Sequence, residues 1–269
     1  MNKLSDTLWG IYVVAKREFI MNLKSVRMII LMIIFSLFVL FAAYVGSFFF
    51  GFIGDVPGTG DNVEKGPVII AFFVVQFIGF IGPIIAIALN FDIIVKEKIQ
   101  NSLNLLLCRP ISKRSIALGK FIGVTGALAV PVIFVNLVAL LIVMVISGKM
   151  IELIQIFGFL LLTMMFLAIY LALAQIISSV VKTTTTAILG GLGIWFLFWL
   201  FFPIINVFIP SAAISLINPG TSYSVCIEHI LGLSTGPYMI PLWGFYLILI
   251  TWLLATIVLA VELFHWKED

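Results

Sequence analysis

Six apolar runs, each about twenty residues or longer, dictate what this chain can become. They lie at about 26–53, 67–95, 116–147, 153–181, 187–209 and 241–264. The hydrocarbon core of a bilayer is about 30 Å thick and is crossed by about 20 residues of helix. Inside it every backbone N–H and C=O must find a partner within the protein, which leaves helices or closed barrels. The two-residue alternation of a barrel strand is absent, so the expected fold class is an all-α integral membrane protein with six transmembrane helices. Hydrophobic residues make up 63% of the 269 residues and charged residues 10%, whereas soluble domains hold about 45–50% and about 25%. A soluble enzyme, a nucleic-acid-binding module and a disordered chain are excluded. The first apolar run starts too late and runs too long for a cleavable signal peptide. Residues 1–269 read as a single transmembrane domain.

The cations set the orientation. Lys3, Lys16, Arg17, Lys24 and Arg27 precede the first run, and Lys96, Lys98, Arg109, Lys113, Arg114 and Lys120 separate the second from the third. Lys182 follows the fourth and Lys267 the sixth, so thirteen of the fifteen Lys and Arg fall on one side, with Lys65 and Lys149 on the other. The positive-inside rule places both termini in the cytoplasm of a multi-pass protein of the cell membrane.

Three segments outside the spans carry most of the remaining information. In residues 4–24, Leu4, Leu8, Ile11, Ala15 and Phe19 recur at helical spacing. That pattern reads as an amphipathic helix lying in the headgroup plane, or as a cytosolic helix packed on a partner. In residues 97–109, Ile99, Leu103, Leu106 and Leu107 share one face of a short helix that Pro110 ends. Ser112 is placed to cap the next helix. Lys113 and Arg114 then sit in a first turn where the macrodipole disfavours cations, so anionic headgroups, the topology signal or an acidic partner must outweigh that cost. Residues 204–240, bounded by Pro203 and Pro241, hold three further prolines and two apolar pieces too short to span. They read as two short helices that dip into or lie on the outer leaflet, joined by a turn at Asn218-Pro219-Gly220.

Enzymatic chemistry is sought and not found. There is no phosphate-binding G-x-x-x-x-G-K-[ST], no H-E-x-x-H and no G-x-S-x-G. Cys226, Glu228 and His229 form a C-x-E-H that is weak as a metal site. The chain is therefore expected to bind no metal or cofactor and to catalyse no reaction. Asp92 is placed to pair with Lys96 one turn on. Gln76, Asn90, Asn136, Gln155 and Gln175 are candidates for bridging helices. Gly119 and Gly123 form a G-x-x-x-G that packs helices within one copy or between two. The run Trp195–Phe202, WFLFWLFF, is either a lipid-facing belt or the wall of a path for an apolar cargo, with Phe198, Trp199 and Phe202 as candidate wall residues.

This arrangement resembles the ATP-binding-cassette type-2 permease family along nearly the whole chain. The likeness rests on Lys16-Arg17-Glu18 in the N-terminal helix, six spans and a broken outer segment before the last. Its most specific stretch is Asp92–Lys120: Glu97, Ser102-Leu103, Leu105-Leu106-Leu107, Arg109-Pro110-Ile111-Ser112-Lys113-Arg114 and Gly119-Lys120. Gly193–Phe198 with Leu216–Pro219 resembles the branch that includes the permease serving nitrous-oxide reductase maturation. The resemblance implies that residues 97–109 are a cytoplasmic coupling helix docking into an ATPase subunit, with Glu97, Ser102, Leu103, Leu106, Leu107, Arg109, Pro110, Lys113 and Arg114 at the contact. It implies two ATPase subunits, which hold ATP and Mg2+, a second copy of this chain, and export. The family does not fix the substrate; the aromatic and aliphatic interior with few amides points to an amphiphilic or apolar one. A non-transporting sensor, an assembly scaffold or a channel on the same fold is the alternative.

Overall fold

The computed structural model describes residues 3–54, 65–99, 112–147, 150–208, 217–231 and 241–267, and among these there is helix and no strand. In chain order they form α1 (Lys3–Leu23), α2 (Val26–Gly54), α3 (Lys65–Asn90), α4 (Val95–Ile99), α5 (Lys113–Ser147), α6 (Leu153–Val180) and α7 (Thr184–Phe196). The last of these continues through a π turn (Leu197–Phe201) into α8 (Phe202–Phe208); α9 (Pro219–Ile230) and α10 (Leu242–Lys267) follow. Six helical stretches are long and apolar enough to cross a membrane: α2, α3 with α4, α5, α6, α7 with α8, and α10.

The expected spans are all present, and the differences lie at their ends. Counting apolar residues alone starts the fifth run at Ala187, but the helix begins at Thr184 because Thr183 accepts the Thr186 N–H at 3.2 Å. α5 begins at Lys113 for the same kind of reason: the Ser112 hydroxyl takes the Ser115 N–H at 3.1 Å, as expected. The second run does not continue to residue 95. Its helix stops at Asn90, and a turn leads into α4. Side chains of other helices hold that break: Ser178 on α6 accepts the N–H groups of Ile94 and Val95 at 3.1 and 3.2 Å.

Helix α6 occupies the centre, packed against α10, α3, α9, α5 and α7. Its Phe166, Ile169, Leu171 and Ala172 join Ile78 and Ala86 of α3, Leu128 and Ala139 of α5 and Leu249 of α10 in one core. Two amides bridge helices as expected: Asn90 donates to the Leu171 carbonyl at 2.6 Å and Gln175 to the Ala117 carbonyl at 3.0 Å. Gln155 instead caps the start of α6 by accepting the Glu152 N–H, and Gln76 is exposed. Asn136 is fully buried on α5, with neither amide atom hydrogen-bonded among the described residues.

The glycines of α5 face α1. A β-carbon at Gly119 would lie 2.7 Å from Cβ of Val14, and one at Gly123 2.6 Å from the Ala15 carbonyl oxygen. Gly126 meets Phe19. Residue pairs 11/119, 15/123 and 19/126 keep a near-constant offset, so α1 runs parallel to the first third of α5 rather than crossing it. The G-x-x-x-G motif thus packs helices within one copy. The buried line of α1 is Gly10, Val14 and Glu18, whereas Leu8 of the apolar series is exposed with Trp9 and Tyr12.

α9 is a short helix inside the bundle, set against α10, α6 and α3. Tyr223 stacks on Phe166 with ring centres 4.3 Å apart, and Ile230 reaches Gly158. The helix therefore starts near mid-depth and climbs antiparallel to α6. The expected break falls at Asn218, which is non-helical between helical Ile217 and Pro219, and Pro219 and Gly220 are the first residues of α9 rather than part of the turn. The rest of the expected outer segment, 209–216 and 232–240, lies outside the described residues.

Candidate functional site

At the end of the bundle where most cations cluster, which we call the basic end, Lys120 is 1% exposed on α5. An ammonium is buried only when paired. Its Nζ lies 2.7 Å from Glu97 of α4 and 3.6 Å from Glu18 of α1, and it donates to the Ile93 carbonyl at 3.2 Å. One cation thus joins α1, α5 and the chain break that follows α3. Beside it, Arg27 at the start of α2 makes a two-pronged bond to Asp92, 2.7 Å on each arm, and lies over the Phe91 ring. Asp92 was expected to pair with Lys96; the break after Asn90 turns its carboxylate toward α2 instead. Lys98 donates to the Ser179 carbonyl at 3.0 Å, tying α4 to α6.

Of the residues singled out for partner contact, Glu97 lies on α4 and Lys113 and Arg114 open α5. Arg114 pairs with Glu262 of α10 at 3.1 Å, which offsets part of the macrodipole cost at that helix start. Ser102, Leu103, Leu106, Leu107, Arg109 and Pro110 lie outside the described residues, as does Cys108. Lys120 was read as a topology charge and as part of the Gly119-Lys120 likeness, not as a buried ion pair; the signal that marked it was an ammonium inside an apolar helix.

In the opposite half of the bundle a cavity of about 310 Å3 opens between α3, α6, the π turn and α9. Tyr170, Phe198, Trp199 and Tyr223 supply aromatic walls, and Gln76 and Ser224 supply polar groups. Among the described residues no Lys, Arg, Asp or Glu lines it. The aromatic run is thus divided: Phe196, Leu197 and Phe201 point outward, while Phe198 is 8% exposed. Trp199 lines the cavity and stacks on Trp195, whose indole N–H donates to the Phe80 carbonyl at 3.1 Å. Phe202 stacks behind Phe198 at 5.5 Å and does not line the cavity.

Asn218 fixes the geometry of that cavity. In the π turn the Phe202 N–H reaches back to Leu197, so the next donor should serve Phe198. That next residue is Pro203, which has no N–H. The Asn218 amide fills the gap by donating to the Phe198 carbonyl at 3.0 Å, while its oxygen caps α9 through Gly220 N at 2.9 Å. Non-helical backbone at this depth is tolerated because it is buried and satisfied. Asn218→Ala is expected to cost about 1 kcal/mol for the cap and about 1–3 kcal/mol for the orphaned carbonyl. Asn218→Asp keeps the cap and loses the donor, so it should fall between. Thermal unfolding in detergent micelles checks the order; an unchanged melting temperature for the alanine variant would contradict it.

Two of the three C-x-E-H residues have structural roles. Cys226 is fully buried, His229 bonds the Tyr246 hydroxyl at 3.1 Å, and that hydroxyl donates to the Cys226 carbonyl. Among the described residues no group of three His, Cys, Asp or Glu is arranged to hold a metal.

The family model described as "ABC-2 family transporter protein" matches residues 12–268. The chain belongs to this transporter family. A protein of Stutzerimonas stutzeri named "Probable ABC transporter permease protein NosY" is 28% identical over 205 residues, covering 74% of this chain and 69% of that protein. Its namesake in Pseudomonas aeruginosa is 27% identical over 197 residues, covering 71% and 68%. The permease is thus the multi-pass membrane component of an ABC transporter of the cell membrane, and the family works with a partner ATPase.

Proposed function

We propose that the permease is half of the membrane part of an ATP-driven exporter. Two copies pair about a two-fold axis. Two separate ATPase subunits, holding ATP and Mg2+, dock at the basic end, which faces the cytoplasm together with both termini. The observation that carries this reading is the Lys120 junction. Residues 97–109 form the docking helix. A push on it passes from Glu97 through Lys120 into α5, and through Glu18 into α1. Leu103, Leu106 and Leu107 enter a groove on the ATPase, flanked by Arg109, Lys113 and Arg114; Ser102 and Pro110 shape the helix ends. The α7–α8 span is the least buried of the six and offers its outer face to the second copy. The aromatic cavity, whose described lining carries no charge, suits an amphiphilic or apolar cargo rather than a hydrated ion, with Phe198 and Trp199 as walls and Phe202 behind them.

One reconstitution tests this reading in two arms. Leu106→Asp places a charge in the groove and is expected to weaken ATPase binding by about 3 kcal/mol, roughly a hundredfold. Insertion stays intact, because the spans are untouched. Co-purification of the ATPase measures it, and equal recovery with wild type and variant would remove this helix from the interface. Alanine at Phe198, Trp199 and Phe202 together is expected to uncouple cargo from ATP hydrolysis in liposomes. Unchanged cargo-stimulated ATPase activity would exclude the cavity from the path.

A further inference from the structure

We propose that the cavity at the basic end binds the phosphate of an anionic phospholipid. The cavity measures about 400 Å3 and lies between α1, the start of α2, the break after α3, and α5. Its charges are sorted by depth. The three carboxylates are withdrawn: Glu18 is 9% exposed, Asp92 12% and Glu97 15%, and each already faces Lys120 or Arg27. The rim is cationic. Arg17 and Lys96 line the cavity, are exposed, and have no carboxylate partner among the described residues. Arg27, 40% exposed, spends two of its N–H groups on Asp92, which leaves further guanidinium donors of its fork for an anion.

The described lining carries four cations against three carboxylates, with the two cations that lack a carboxylate partner on the exposed rim; that rim favours anions, and guanidinium forks match the oxygens of a phosphate. The depth and surroundings select a lipid as the source of that phosphate. Arg27 opens the first span and Asp92 follows the last turn of α3, which sets the cavity at headgroup level. Apolar surface runs away from it in the direction acyl chains would take: Met21 shares the lining, and Val26, Ile29 and Ile30 are exposed. A soluble phosphate would meet the cations and leave that surface unused. Basic pockets between helices at this level are the kind of place that holds anionic headgroups. This inference stands independently of the export reading, since it needs neither the ATPase nor the cargo.

The test uses the intact permease, delipidated in detergent and offered equal amounts of phosphatidylglycerol and phosphatidylcholine, with bound lipid read by native mass spectrometry. Wild type is expected to retain phosphatidylglycerol over phosphatidylcholine by about tenfold or more. Arg17→Gln with Lys96→Gln is expected to abolish that preference, whereas Lys16→Gln with Lys182→Gln, exposed cations outside the cavity, keeps it. Arg17→Lys with Lys96→Arg retains charge and should retain the preference, which separates a charge effect from misfolding. Equal binding of both lipids by wild type overturns the proposal, as does an unchanged preference in Arg17→Gln with Lys96→Gln. If inorganic phosphate displaces the bound phosphatidylglycerol and protects against unfolding as well as the lipid does, the lipid is overturned as the source. If the glutamine pair leaves the lipid preference unchanged and releases the ATPase, the rim belongs to the ATPase contact instead.

Discussion

Lys120→Met is expected to cost the folded permease about 3–5 kcal/mol, the range for removing one partner from a buried ion pair. Glu18 and Glu97 would remain almost covered and lose their shared cation, and the Ile93 carbonyl would lose a donor. Methionine matches the length and bulk of the lysine stem, so packing is largely preserved and the effect reads as charge. Adding Glu18→Gln and Glu97→Gln to the same chain should recover most of the loss, because neutral amides need no counter-ion. Melting curves of wild type, the single variant and the triple variant form the measurement. A triple variant as unstable as the single one would show that the lysine acts through packing. The same comparison bears on transmission: the triple variant joins α1, α4 and α5 only by weaker contacts, so ATP hydrolysis should proceed with less transport per ATP.

Gly123→Val is the second large effect. The new side chain would start 2.6 Å from a backbone oxygen of α1 and 2.7 Å from Cβ of Glu18. Backbone cannot swing aside as a long side chain can, so α1 must separate from α5. Overpacking of this kind costs about 1–3 kcal/mol, concentrated in one contact. The expected result is local detachment, with trypsin cleaving after Lys16 and Arg17 roughly tenfold faster or more, since cleavage follows the opened population. Gly193→Ala is the matched control. Nothing lies within 4 Å of its added carbon, so cleavage should stay at the wild-type rate. Equal rates for Gly123→Val and wild type would mean that α1 is not held by this contact.

These two sites mark the boundary of what could be read without coordinates. The spans were legible because each needs about twenty apolar residues and little else. The Ser112 cap was legible because its hydroxyl serves an N–H three residues away. Gly119 and Gly123 announced a close approach, but any of several helices could have supplied the partner. The Lys120 junction draws Glu18, Glu97 and Lys120 from three separate elements, and no spacing rule connects them. Asp92 shows the opposite error: the rule for neighbours four apart suggested Lys96, and a helix break sent the carboxylate to Arg27, 65 residues away. The aromatic run could not be divided into lipid-facing and cavity-facing halves, because a π turn rotates the register within it.

The mid-depth start of α9 bears on how the chain is assembled during synthesis. An insertion machinery that tests each emerging segment for hydrophobicity would accept α7 with α8 and later α10. It would pass over a twelve-residue helix containing Glu228 and His229. α9 must then be drawn between its neighbours after they are in place, and α10 closes one side of the slot. A ribosome-released chain ending at Leu231 should therefore leave α9 outside. Cys226, fully buried in the whole chain, should react with a thiol reagent in that fragment and become protected only once α10 has emerged. Protection already complete in the fragment would place the docking of α9 before the last span. On the expected order, membrane insertion and folding are separate events, divided by the synthesis of a single helix.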